Sequence, residues 1–139
     1  MSVVFLLGRL LFVYLFVESG LMNLVAKRQQ VDAAAAHDVP EPELAVRAAG
    51  LLAVVGGLSV ALGVYGDVGA QMITVFLLGV TPVIHAYWRE AEAAKKRAQR
   101  INFMKNVGLL GGALVLFYTW NQLQGDAGLS ITDPLFSRW

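Results

Sequence analysis

Long apolar runs interrupted by short polar stretches set the plan of this chain. Val3 to Val25, Leu44 to Tyr65, Val68 to Trp88 and Phe103 to Leu123 are each predominantly apolar. Each is close to the roughly 20 residues a helix needs to cross a hydrocarbon core about 30 Å thick. The pattern predicts an all-α fold: a four-transmembrane-helix bundle in antiparallel up-down order, with both termini on the same, outer side. Residues 1–123 form one membrane domain, and 124–139 form a short outer C-terminal tail. The first apolar run has no basic residues before it and no A-x-A-like site after it, so it reads as a permanent helix rather than a removable signal.

The connections carry their own signals. Between the first two spans, Val31 to Ala36 is an Ala-rich helical stretch that breaks at Val39-Pro40-Glu41-Pro42. A short interfacial helix is expected there, with Pro42 in the first turn of the second span, where a missing N–H costs nothing. Gly66-Asp67 is too brief to be anything but a turn between antiparallel neighbours. Arg89 to Arg100 is rich in Ala, Glu, Lys and Arg and reads as a charged extension of the third span, solvated and attracted to anionic lipid. Pro82 predicts a kink just before His85.

Composition agrees with a membrane protein. The chain of 139 residues is 57% apolar and only 15% charged, with a mean hydropathy of +0.60; soluble domains carry about 25% charged residues. Cysteine is absent, which excludes disulfides and thiolate-ligated metal or haem. The net charge of +1 implies no nucleic-acid partner. Its distribution matters more: nine of the eleven Lys and Arg (Lys27, Arg28, Arg47, Arg89, Lys95, Lys96, Arg97, Arg100 and Lys105) flank the first and third connections. The positive-inside rule then puts those connections in the cytoplasm and both termini outside a multi-pass cytoplasmic membrane protein. Tyr65, Tyr118 and Trp120 are expected in the outer aromatic belt, and Tyr87 and Trp88 in the inner one.

Polar residues inside the spans carry whatever chemistry there is. Counting about 1.5 Å per residue from each midpoint places Glu18 roughly 6 Å toward the cytoplasm, His85 and Asn106 about 10 Å, and Arg47 and Asn23 about 12 to 14 Å. Five groups from four helices thus share the inner half, and only Arg9 lies in the outer half. Arg9 is half a turn out of phase with Glu18 and is expected to snorkel outward or pair across the bundle. A carboxylate at the depth of Glu18 calls for neutralisation or a cation, with Arg47 and His85 as its candidates. The cluster reads either as a clamp that fixes helix register or as a site for a quinone head group, a proton path or a transported solute; His85 is the member that titrates near neutral pH when unperturbed. Gly50, Gly57, Gly108 and Gly112 read as packing seams, because small residues let helices approach in lipid. The histidines are too far apart in environment for a bis-His haem, and no spacing suggests a metal.

Gly8-Arg9-Leu10-Leu11, Glu18-Ser19-Gly20, Val39-Pro40, Gly56-Gly57-Leu58, Leu62-Gly63, the His85 to Trp88 stretch and the Asn102 to Gly112 block together resemble the DoxX-like family of small four-helix membrane proteins. The resemblance runs from about residue 5 to 117, with its most specific part in Phe103-Met104-Lys105-Asn106 and the paired glycines Gly111-Gly112. It implies association with membrane oxidoreductase assemblies, one branch resembling a thiosulfate:quinone oxidoreductase subunit. Arg9, Glu18, His85, Lys105 and Asn106 fall on the family's characteristic polar positions. Members often place an acid where this chain has Ala53, which favours an accessory role. The expected function is therefore an accessory subunit of a larger respiratory or redox membrane complex, with no intrinsic metal or flavin and without catalysis of its own. The alternatives are a quinone-binding oxidoreductase component or a small lipid or solute carrier; the latter is disfavoured by the lack of an inverted repeat or broken helix pair.

Overall fold

In a computed structural model, which describes residues 2–123 and 129–136, the chain is all-helical. The helices are α1 (Ser2–Val25), α2 (Arg28–Ala36), α3 (Pro42–Leu62), α4 (Gly66–Ile84) and α5 (Ala93–Leu123), with a 3₁₀ turn at Tyr87–Arg89. Four of the helices are long and apolar enough to cross a membrane.

The breaks follow from local chemistry. Pro42 starts α3 in its first turn, after Glu41 in the left-handed region, so the proline signal is read correctly. At the other end of α3, Gly63 (φ +66°) and Tyr65 (φ +47°) turn the chain, and α4 begins directly at Gly66. The turn therefore lies before the Gly66-Asp67 pair. α4 runs through Pro82 and ends two residues later at Ile84, with the His85 N–H donating to the Thr81 carbonyl. This corrects the expectation for Arg89 to Arg100. From Ala93 onward the charged stretch is the first part of the 31-residue α5, so it extends the fourth span and not the third.

Small residues set the helix spacing, as expected in a solvent without a hydrophobic drive. A Cβ on Gly50 would lie 2.7 Å from the Gly20 carbonyl oxygen, and one on Gly57 would lie 2.8 Å from Val17 Cγ2. Those contacts pair α1 with α3 in opposite directions. Gly56 meets Met72 and Gly69 of α4, and Gly112 meets the Phe12 ring. Gly108 is the exception among the expected seams: it faces outward with nothing within 4 Å. Val13, Phe16, Ala53, Val60, Ile73 and Leu77 form the centre of the core.

The first turns of α1 and residues 129–136 meet at one end of the bundle. Residues 129–136 fold across it, with the Ile131 and Thr132 N–H groups donating to the Gly63 carbonyl and the Tyr65 N–H donating to Thr132 Oγ1. Trp120 is fully buried against Gly66, Phe5 and Arg9, so it is a core residue and not part of an aromatic belt; Tyr65 and Tyr118 are exposed. The rest of the tail, including Trp139, lies outside the described residues. At the opposite, basic end, Arg89 pairs with Asp38 at 2.9 Å and ties the two long connections together.

Candidate functional site: a cavity at the basic end

The five polar residues expected to meet in one pocket divide into separate environments. Glu18 is on the exposed face of α1, with no hydrogen bond or ion pair among the described residues. Arg47 pairs with Glu43 at 2.9 Å, one helical turn away on the exposed side of α3. Asn106 is buried and donates to Thr81 Oγ1 at 3.2 Å, beside a cleft of about 220 Å³ between α4 and α5. Only Asn23 and His85 face a common space. The register explains the split: the contacts of Val17, Gly20 and Leu24 with α3 commit that side of α1 to the interface, and Glu18 projects from the opposite side.

That common space is a cavity of about 420 Å³ bounded by α1, α2, α3 and the end of α4. Its walls are aliphatic, from Val46, Leu52, Phe76, Val80 and neighbours, and its polar groups are Ser19, Asn23, Gln30 and His85. Among the described residues no Asp, Glu, Lys or Arg lines it. His85 Nδ1 lies 2.8 Å from Gln99 Oε1 at the start of α5. With the Gln99 amide oxygen as acceptor, Nδ1 is the donor of this hydrogen bond. Gln30 Oε1 is buried without a partner. The site thus offers hydroxyl, amide and imidazole groups in an otherwise apolar recess, the composition of a small-molecule pocket.

Gln30, Ser19 and Gln99 escaped the sequence reading. α2 was legible as an Ala-rich helix, but that it folds back onto α3 and turns Ala34 and Gln30 inward is a tertiary result. Gln99 is 14 residues from His85, across the interruption between α4 and α5 that composition did not reveal.

A second polar group lies at the opposite end. Arg9 neither snorkels nor pairs with a carboxylate among the described residues; it is 1% exposed. Its Nη1 donates to Ser130 Oγ at 3.1 Å and its Nη2 to the Leu129 carbonyl, and its guanidinium stands 5.4 Å from the Trp120 ring centroid. Asp67, fully buried at the start of α4, accepts the Phe136 N–H at 2.7 Å. Both charges hold the tail in place. Asp67 gave no sequence signal beyond a turn.

Fold and site together define a small polytopic membrane protein with a largely apolar recess at its basic end. More specifically, the chain belongs to the DoxX family, whose model matches residues 4–86. Arg9, Glu18 and His85 fall within that match, whereas Lys105, Asn106 and the Phe103 to Gly112 block lie beyond it. Ala53 is completely buried in the core. No curated protein and no solved structure matched the chain.

Proposed function

We propose that this protein is an accessory membrane subunit that holds a neutral amphiphile of quinone type for a partner oxidoreductase. The observation that carries the reading is the uncharged lining of the 420 Å³ cavity at the basic end. A quinone head group is flat, neutral and rich in hydrogen-bond acceptors, and it is recognised by a few donors on apolar walls. Asn23, Gln30 and Ser19 supply such donors, and the gap beside Gly79, where a Cβ would meet nothing within 4 Å, leaves room for a chain to leave toward lipid. The positive-inside rule assigns the basic end, and so the cavity, to the cytoplasmic leaflet. In this reading the cavity holds the ring through its amide, hydroxyl and imidazole groups, and electron transfer is the partner's part.

The test is a binding titration of decylubiquinone against the purified protein in lipid nanodiscs. Saturable binding is expected, weakened at least tenfold by Asn23→Leu and by Gly79→Leu and unaffected by Arg47→Leu. Binding of equal strength in all variants contradicts the proposal. Mild-detergent extraction from the native membrane tests the accessory role, which requires a redox protein to travel with this chain in fixed stoichiometry.

A further inference from the structure

Hydrogen bonds left unmade around the recess say which head group suits it, a step that rests on the amphiphile reading of the same cavity. Among the described residues, the buried side-chain atoms without a hydrogen-bond partner are Arg9 Nε, Gln30 Oε1, Asp67 Oδ1, Trp120 Nε1 and Asn121 Oδ1. Of these residues only Gln30 lines the 420 Å³ cavity. Buried side-chain polar atoms are as a rule hydrogen-bonded, and an idle acceptor costs a desolvation that nothing returns.

The local sequence turns this side chain inward. Gln30 stands one helical turn before Ala34, the buried residue of α2, and both line the recess, whereas Arg28, Gln29 and Asp32 are exposed. The lining residues nearest to it in the chain, Ala33, Ala34 and Val39, carry no side-chain donor. Ser19 and Asn23 carry donors, yet neither bonds Gln30 Oε1, and His85 Nδ1 is committed to Gln99 Oε1 at 2.8 Å. Turning Oε1 toward the recess therefore breaks no hydrogen bond. The donor it lacks has to come from what fills the space.

The two redox forms of a quinone-type ring differ in this respect. The oxygens of the oxidised ring only accept, so Ser19 and Asn23 serve them while Gln30 Oε1 stays idle beside a ring that has displaced water. Each hydroxyl of the reduced ring both donates and accepts. Its oxygen takes a hydrogen bond from Asn23 or Ser19, and its hydrogen goes to Gln30. We infer that the recess selects the reduced, hydroxyl-bearing head group over the oxidised one, with Gln30 Oε1 as the acceptor that reads the hydroxyl. The selectivity is one of binding and involves no electron transfer by this chain.

Anaerobic titrations of the full chain in lipid nanodiscs compare decylubiquinol, decylubiquinone and decylubiquinol methylated on both ring hydroxyls. The quinol is expected to bind about tenfold more tightly than either of the others, the effect of one buried acceptor satisfied or left idle. Gln30→Met, similar in size and without an acceptor, should bring the ratio of quinol to quinone affinity to about one, and without ligand it should melt no lower than the wild type, since an idle acceptor has been removed. Asn23→Leu should weaken both forms and leave the ratio in place. Quinone or ether binding as tightly as the quinol, an unchanged ratio in Gln30→Met, or a clear fall in that variant's melting temperature without ligand would each overturn the inference while leaving the amphiphile reading standing. Saturable binding of none of the three would overturn both.

Discussion

Gly66 and Trp120 are in such close contact that a Cβ on the glycine would lie 2.2 Å from the indole Cε2. The indole is completely buried, between the first turn of α4 and the Arg9 and Phe5 side chains of α1, and has no free direction in which to move. Overpacking of this kind costs about 1–3 kcal/mol. Gly66→Ala should therefore lower the melting temperature in detergent clearly, while Gly79→Ala, where the added methyl meets open space, should leave it nearly unchanged. Equal melting temperatures for the two variants would refute the close packing.

The cover over the terminal end depends on Arg9. Hydrogen bonds to a charged group contribute about 1.5–3 kcal/mol, and Arg9 donates one each to Ser130 and Leu129. Arg9→Met should loosen the tail while the bundle stays folded, seen as faster cleavage at the C-terminal segment in limited proteolysis. Unchanged cleavage would show that the Gly63, Tyr65 and Asp67 contacts suffice.

Arg47 offers a contrasting case. Its partner Glu43 is one turn away and both side chains are more than half exposed, so the pair is of the kind worth about 0.3–0.5 kcal/mol. Arg47→Ala should shift the unfolding midpoint only slightly. A loss of several kcal/mol would instead restore Arg47 to a buried cluster.

Thr81→Val removes the acceptor for the Asn106 amide. Interhelical hydrogen bonds in membranes average about 0.6 kcal/mol. A comparable loss is expected, and a double-mutant cycle with Asn106→Leu should return a coupling of the same size; zero coupling would mean that the contact contributes nothing.

The spans, the short Ala-rich helix before the proline pair and the glycine seams at Gly50 and Gly57 were legible because each is a local signal: hydropathy over 20 residues, a proline pair, small residues at helical spacing. Azimuth was not. Glu18, Arg47, His85, Asn23 and Asn106 share a similar depth, but depth is one coordinate, and the direction each faces depends on which side of its helix the neighbours occupy. Gly20 and Val17 against α3 commit α1 to an orientation that turns Glu18 outward. Gly108 and Gly112 show the same limit within one motif, since Gly112 packs on Phe12 and Gly108 faces open space. Trp120 was misplaced for a related reason: its burial comes from the close approach of Gly66 and from the Phe5 and Arg9 side chains, tertiary contacts that no local pattern announces.

The account turns on what enters the recess beside Asn23, Gln30 and His85. Photolabelling of the membrane-embedded protein with an azidoquinone, followed by peptide mass spectrometry, reads this directly. Label is expected on segments 19–39 and 75–85, which line the cavity, and should be competed away by unlabelled decylubiquinone. Label spread along the outward face of α5, or insensitive to competitor, would contradict it.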